Sequence, residues 1–262
     1  MADFILEAKG LHKRFGSLVV TNGVSLQVQT GARMALIGPN GAGKSTLVGL
    51  LTGQLVPNEG RVLLQGQDVT GLAPERRTKR GLVRTFQINN LFRGLTVLEN
   101  VYLAVSERTG TARAFWRPAA AHAEVLDEAN AVLEQLGLAD VRHEKVSALA
   151  YGQQRLVEIA IALSLRPKVL LLDEPAAGIP SLQAGLLMEA IQRLPSDLAI
   201  VMIEHDMELV RRFASEITVL VAGAVLATGT PRDIMAREDV LRVYLGGLHA
   251  GAGNNKVDTC LS

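Results

Sequence analysis

The residues best suited to chemistry are Gly38-Pro39-Asn40-Gly41-Ala42-Gly43-Lys44-Ser45-Thr46, which fit the spacing G-x-x-x-x-G-K-[ST]. Glycines at these points let successive backbone N–H groups turn inward around a phosphate, where a Cβ would collide. A helix opening at the end of the segment adds the positive end of its dipole. In that arrangement Lys44 reaches the β- and γ-phosphates and the Ser45 hydroxyl ligates Mg2+. Downstream, Val169-Leu170-Leu171-Leu172-Asp173-Glu174 reads as a buried strand ending in two acids. Asp173 is placed to hold Mg2+ through water, and Glu174, one step further, to orient or deprotonate an attacking water. His205, in Ile203-Glu204-His205-Asp206, follows a second apolar strand. On the shared rim of an α/β sheet its imidazole is placed to sense a γ-phosphate.

By itself the glycine loop indicates a P-loop nucleotide-binding protein and leaves the type open. The elements that must position these groups are legible around them. Phe4-Ile5-Leu6 and Val24 to Val28 have strand-like alternation, and Arg33 to Ile37 is a compact apolar run ending at the glycine loop. Leu47 to Leu55 reads as an apolar helix, Pro57-Asn58-Glu59-Gly60 as a turn, and Arg61 to Leu64 as a strand. Between about residues 88 and 165 the character becomes helical, with Val125, Ala129, Val132, Leu133 and Leu136 forming one stripe. Within that lobe Thr109 to Pro118, which carries Trp116, reads as an exposed loop. After Pro167, strands at 169–172 and 198–203 alternate with helices at 182–194 and 208–215, and short strands follow at 218–221 and 224–227. This alternation predicts an α/β core with a mostly parallel sheet. Residues 251–262 read as a flexible tail.

The totals narrow the class. With 48% hydrophobic and 20% charged residues, the 262-residue chain has the composition of a folded protein with a substantial core. Twenty-seven basic residues against 26 acidic ones leave a net charge of +1, and aromatics are 4%. Neither figure suits a nucleic-acid binder, so phosphate recognition has to be local. Cys260 is the single cysteine, which precludes an intrachain disulfide and suits a reducing compartment. Asp3, Glu7 and Lys9 interrupt the first ten residues, so they do not read as a secretory leader. The longest apolar runs are strand length, far short of the ~20 residues a membrane helix requires. The chain is expected to act at a membrane, if at all, from outside the bilayer.

One further segment makes the reading specific. Leu149-Ala150-Tyr151-Gly152-Gln153-Gln154-Arg155 precedes a helix with apolar positions at Leu156, Ile159, Ala160 and Leu163. It resembles the signature sequence of ABC ATPases, usually written LSGGQ, and falls upstream of Asp173-Glu174 as in that family. Gln87, in Arg84-Thr85-Phe86-Gln87, resembles the Q-loop glutamine, which touches the metal, and His205 resembles the switch histidine. Phe15, in Lys13-Arg14-Phe15-Gly16, resembles the aromatic that stacks on adenine. The resemblance spans about residues 4 to 246. It implies a P-loop NTPase cassette of ABC type: an α/β fold with a mostly parallel sheet core, an antiparallel β subdomain and an inserted helical lobe. Residues 4–250 would form that domain.

The resemblance also implies ATP and Mg2+ as cofactors and two ATPase subunits facing head to tail. Each ATP would lie between the cradle of one subunit, residues 38–46, and the signature of the other, Leu149, Ala150, Tyr151, Gly152 and Gln153. Lys44, Gln87, Glu174 and His205 would act on the γ-phosphate. Integral-membrane permease subunits and, indirectly, a solute-binding protein complete the implied assembly, on the cytoplasmic face of the inner or plasma membrane. Ile88, Leu91 and Phe92 would help form the groove for a permease helix. Leu91 to Asn100, the Ala-Tyr-Gly-Gln-Gln-Arg signature, the long insertion around Trp116 and the ending Val243-Tyr244-Leu245-Gly246-Gly247 are similar to the ATPases of branched-chain (hydrophobic) amino acid importers. Importers of urea and short amides are close alternatives, and a non-transport ABC ATPase or a P-loop kinase are more distant ones. Two departures stand out. Ala150 offers no hydroxyl where the signature has serine, and Pro180 stands where the family's D-loop has Asp or Asn. The second leaves open whether the working pair is a homodimer or an unequal heterodimer.

Overall fold

The computed structural model describes residues 4–85, 91–111 and 119–243. Gln87, Ile88, Trp116 and Cys260, together with the expected tail, lie outside the described residues. The chain opens with a hairpin of β1 (Phe4–Phe15) and β2 (Leu18–Gln29), each 12 residues and so longer than the short strands expected. Alternation explains the length: Val24, Leu26 and Val28 are buried while Ser25, Gln27 and Gln29 face solvent. β4 (Glu59–Leu64) and β5 (Gln67–Asp68) complete an antiparallel sheet in the order β2-β1-β4-β5. Glu59 and Gly60, expected in a turn, already belong to β4, because Glu59 pairs with His12 of β1.

β3 (Arg33–Ile37) leaves this sheet and enters a second one with β6 (Leu82–Arg84), β7 (Val169–Asp173), β8 (Ala199–Ile203), β9 (Glu216–Val221) and β10 (Ala224–Gly229). Its order is β10-β9-β3-β8-β7-β6, and every pairing is parallel except that of β9 with β10. Layers cover both faces, which is why β7 and β8 read as unbroken apolar runs. Leu171 and Val201 enter the core shared with α1 (Lys44–Thr52) and the antiparallel sheet. Leu170, Leu172, Ile200 and Met202 enter the opposite core, with α3 (Val97–Thr109), α4 (Ala119–Gln135), α5 (Tyr151–Ser164) and α6 (Ser181–Gln192). The remaining α-helices among the described residues are α2 (Pro74–Lys79), α7 (Met207–Phe213) and α8 (Pro231–Ala236).

The helical stripe expected at Val125, Ala129, Leu133 and Leu136 is buried, with Val132 packed at its edge. α3 begins at a capping box in which Thr96 Oγ1 accepts from Glu99 N–H at 3.1 Å and Glu99 Oε2 from Thr96 N–H at 2.7 Å. Buried Asn100 fastens the preceding loop by accepting from Phe92 N–H at 2.9 Å and donating to Phe92 O at 3.1 Å. The expected loop from Thr109 starts later than predicted. Thr109 is the last residue of α3, and Thr111 is only 4% exposed. No helix among the described residues is long and apolar enough to cross a membrane.

Candidate functional site

β3 delivers the chain to the glycine loop and α1 leaves from it, so residues 38–46 sit at the carboxyl end of a central parallel strand. Gly43 is the N-cap of α1 and carries no capping side chain, which leaves the first-turn N–H groups for an anion. Its φ is +98°, and a Cβ there would lie 2.7 Å from Val20 O. A Cβ on Gly38 would lie 2.1 Å from Leu220 O. The cradle is therefore pressed against β2 and β9. Gly223 N–H donates to Ala42 O at 2.9 Å, and Asn22 N–H donates to Gly223 O at 2.8 Å, so the β9–β10 turn braces the loop from the side.

Lys44 Nζ folds over the loop, donating to Gly38 O at 2.7 Å and to Pro39 O at 3.0 Å. Burial pulls its pKa down, and the charges of Glu174 and Asp173 oppose that shift. The lysine thus faces both acids. Ser45 is exposed in the first turn of α1.

Asp173 ends β7 with its side chain 9% exposed and ion-paired to Arg84 Nη2 of β6. Arg84 also donates from Nη1 to Gln54 Oε1 at 2.7 Å. Glu174 follows at φ +45°, a left-handed conformation uncommon for non-glycine residues that Gln65, Arg166 and Ala222 also adopt in this chain. Its N–H donates to Ile203 O at 2.9 Å, so the turn is fixed to the end of β8. From there His205 Nδ1 lies 3.9 Å from Glu174 Oε1 and 3.9 Å from Glu204 Oε2. The ends of β3, β7 and β8 thus gather Lys44, Ser45, Asp173, Glu174 and His205 on one rim.

Phe15 lies at the tip of the β1–β2 hairpin, 48% exposed, with Lys13 Nζ 5.3 Å from its ring centroid. Residues 149–153 are held elsewhere. Ala150 is the N-cap of α5, and its N–H donates to Gln153 Oε1 at 3.2 Å. Gly152 N–H donates to Gln183 Oε1 of α6 at 3.3 Å. The Tyr151 hydroxyl accepts from Arg155 at 2.9 Å, and Arg155 in turn pairs with Glu158 at 2.8 Å. Among the described residues no hydrogen bond or ion pair joins this segment to the cradle.

Sequence reading missed Arg84, Gln183, Gly223 and Glu204, because each acts through a partner distant in sequence. Only Glu204, an acid ending an apolar strand beside a histidine, carried a local signal.

A glycine cradle opening a helix at the end of a parallel strand, with two acids ending another strand of the same sheet, defines a P-loop nucleotide-binding protein. Residues 21–177 match the family model described as ABC transporter. The chain belongs to that family and is an ATP-binding, ATP-hydrolysing subunit of a transporter. It is 40% identical over 253 residues to BraF of Pseudomonas aeruginosa, a high-affinity branched-chain amino acid transport ATP-binding protein, covering 94% of this chain and 99% of the relative. Among solved structures it resembles the ADP conformation of MJ1267, an ATP-binding cassette of an ABC transporter. The TM-score is 0.81 at 31% identity, over 93% of this chain and 99% of that one. It also resembles the dimeric post-hydrolysis state of the cassette MJ0796 bound to ADP and Pi, with a TM-score of 0.71 at 26% identity, over 87% and 99% of the two chains.

Proposed function

We propose that this subunit energises import of branched-chain or other hydrophobic amino acids through separate membrane subunits, working from the cytoplasmic face as one of a pair of ATPases. Residues 4–250 form its single ABC domain, and about 88–165 the helical lobe. The observation that carries the reading is the separation of its two phosphate-binding features. Lys44, Asp173, Glu174 and His205 share one rim, while Gly152 and the start of α5 are anchored on α6. One chain then holds half of each site, and a second subunit must present its own signature to the first. The dimeric cassette with ADP and Pi supports this arrangement, and the kinship with BraF supports the solute class.

In this reading residues 38–46 wrap the phosphates, Lys44 leaves the loop carbonyls to meet the γ-phosphate, and Phe15 supports the adenine. Glu174 orients the attacking water, and His205 contacts the γ-phosphate opposite it. The donor set suits Mg2+: a serine hydroxyl at the helix start and a nearly buried carboxylate, both hard oxygens. Among the described residues no group of three His, Cys, Asp or Glu could form an all-protein metal cage. This fits an ion held chiefly by nucleotide phosphates, with Ser45, Asp173 and Gln87 completing its shell. Bound there, it would neutralise charge developing on the phosphates. Exposed Phe92 and neighbouring Leu91 supply an apolar surface for a permease helix.

The test is Glu174→Gln in the assembled transporter. ATP should still bind, turnover should fall by about a hundredfold or more, and an ATP-bound pair should accumulate on size-exclusion chromatography with light scattering. Turnover at the native rate would remove Glu174 from its role. Purification from native membranes tests the assembly: recovery without integral-membrane subunits would overturn the transport reading.

A further inference from the structure

The segment after Glu174 is Pro175-Ala176-Ala177-Gly178, in which Pro175 is buried while the last three residues are small and not buried. It forms one wall of an open cleft of about 260 Å3, with Glu204 and His205 on the other side. Two bonds within the segment shape it: Ala177 N–H to Glu174 O at 3.1 Å and Ile179 N–H to Ala176 O at 3.1 Å. Its tie across the cleft from a side chain is Glu204, whose Oε1 accepts from Ala176 N–H at 3.3 Å. The other oxygen of the same carboxylate accepts from His205 N–H at 3.2 Å.

Glu204 is 2% exposed, and among the described residues no lysine or arginine pairs with it. Burial pushes its carboxyl above the usual range, with the donated N–H groups and His205 opposing. Filling this position with a charged group is costly, and a hydrophobic residue there would bury itself without that cost. The arrangement makes sense if both oxygens are needed as acceptors at once, which a carboxylate provides and a carboxamide does not.

We infer that Glu204 is a positioning residue for ATP hydrolysis, a carboxylate strut that fastens the loop of Glu174 to the loop of His205 and holds the two side chains at their 3.9 Å separation. The inference rests on the roles proposed for Glu174 and His205. Without the strut Ala176 loses its tie to the loop of His205 while the Glu174 N–H bond to Ile203 O remains, and a displacement of about 1 Å at a reacting group is enough to cost on the order of a hundredfold in rate.

The experiment uses the assembled transporter carrying Glu204→Ala or the near-isosteric Glu204→Gln, each alone and with His205→Ala. Glu204→Ala should lower kcat by about 10- to 100-fold while KM for ATP and the affinity for a fluorescent ATP analogue stay within about twofold. Glu204→Gln, keeping one acceptor, should fall between it and the parent. On the residual rate of His205→Ala, adding Glu204→Ala should cost clearly less than it does in the parent, because only Glu174 is then left for the strut to position. Equal losses in the two backgrounds, or affinity falling in step with kcat, would overturn the inference. Glu174→Gln separates the two readings. If it abolishes turnover while Glu204→Ala leaves kcat intact, the strut alone fails; if it leaves turnover native, the proposed site fails first.

Discussion

Arg77 offers a test of how the phosphate loop is held from behind. The side chain is 1% exposed, and every one of its nitrogens donates to a carbonyl. Nε bonds to Leu72 O at 3.0 Å, Nη1 to Leu50 O at 2.8 Å and to Leu51 O at 2.5 Å, and Nη2 to Thr70 O at 2.7 Å. Leu50 and Leu51 lie in the last turn of α1, where carbonyls have no partner within the helix and a cation complements the dipole. Arg77 therefore closes the far end of the helix whose near end is the cradle. Hydrogen bonds from a charged group contribute about 1.5–3 kcal/mol each, and burial of the guanidinium offsets part of the sum. Arg77→Met keeps most of the stem volume, removes all the donors and strands buried carbonyls, so the loss should be about 3–5 kcal/mol. For a chain of this size that is a fall in Tm of roughly 10 °C, read by differential scanning fluorimetry without nucleotide. Arg77→Lys, with a single ammonium, should lie between. A Tm for Arg77→Met within about 2 °C of the parent would refute the reasoning.

Gly43→Ala combines a φ of +98° with a Cβ 2.7 Å from Val20 O, so either the cradle or β2 must shift. ATP affinity by fluorescence titration should fall by about tenfold or more, and a value within twofold would contradict this. Pro180 is the N-cap of α6 at φ −57° and ψ 144°, with no side-chain bond to the helix. Pro180→Asp should supply the missing acceptor, stabilising by about 1 kcal/mol and raising Tm by about 2–4 °C; an unchanged or lower Tm would count against the capping argument. Burial raises the pKa of Glu216 above its ordinary 4.5, so the folded chain holds that proton more tightly than the unfolded one. Its stabilising effect is complete below pH 4.5 and is lost as pH rises through the folded value. Glu216→Gln should therefore gain Tm relative to the parent across that rise, and a constant difference from about pH 4 to pH 7 would refute the assignment.

The strand–loop–helix at residues 33–52 and the apolar strands at 169–173 and 199–203 were legible because their signals are local: a fixed glycine spacing and unbroken apolar runs. The rim shared by Asp173, Glu174 and His205 followed from the rule that parallel strands end together. The hairpin was read too short, since its middle residues, Gly10 and Gly23 among them, break the apolar alternation without ending the pairing. Arg77 was unreadable for a different reason. Nothing in Pro-Glu-Arg-Arg-Thr-Lys distinguishes Arg77 from exposed Arg76, because burial is imposed by the end of α1, more than a helix away in sequence. The same holds for Arg84, whose partner Asp173 lies 89 residues on.

The departures at Ala150 and Pro180 meet in one place. The segment from Glu174 to Pro180 touches both groups of residues that the proposed mechanism separates between subunits. On one side Ala176 is tied to Glu204 and hence to the loop of His205. On the other, the Tyr151 ring comes within 3.7 Å of where a Gly178 Cβ would sit, and α6, which Pro180 opens, holds Gly152 through Gln183. The segment from Glu174 to Pro180 therefore lies between the loop of His205 and the start of α5 in the same chain. Proline at the start of α6 fixes one backbone torsion and gives the helix no side-chain cap. The helix start is left to backbone bonds and to Gln183, whose amide oxygen also occupies the Gly152 N–H that the proposed pair needs for a γ-phosphate. Serine at position 150 would have offered a second donor to that phosphate. With alanine there, the donors left at the start of α5 are backbone N–H groups, and that of Gly152 is held by Gln183.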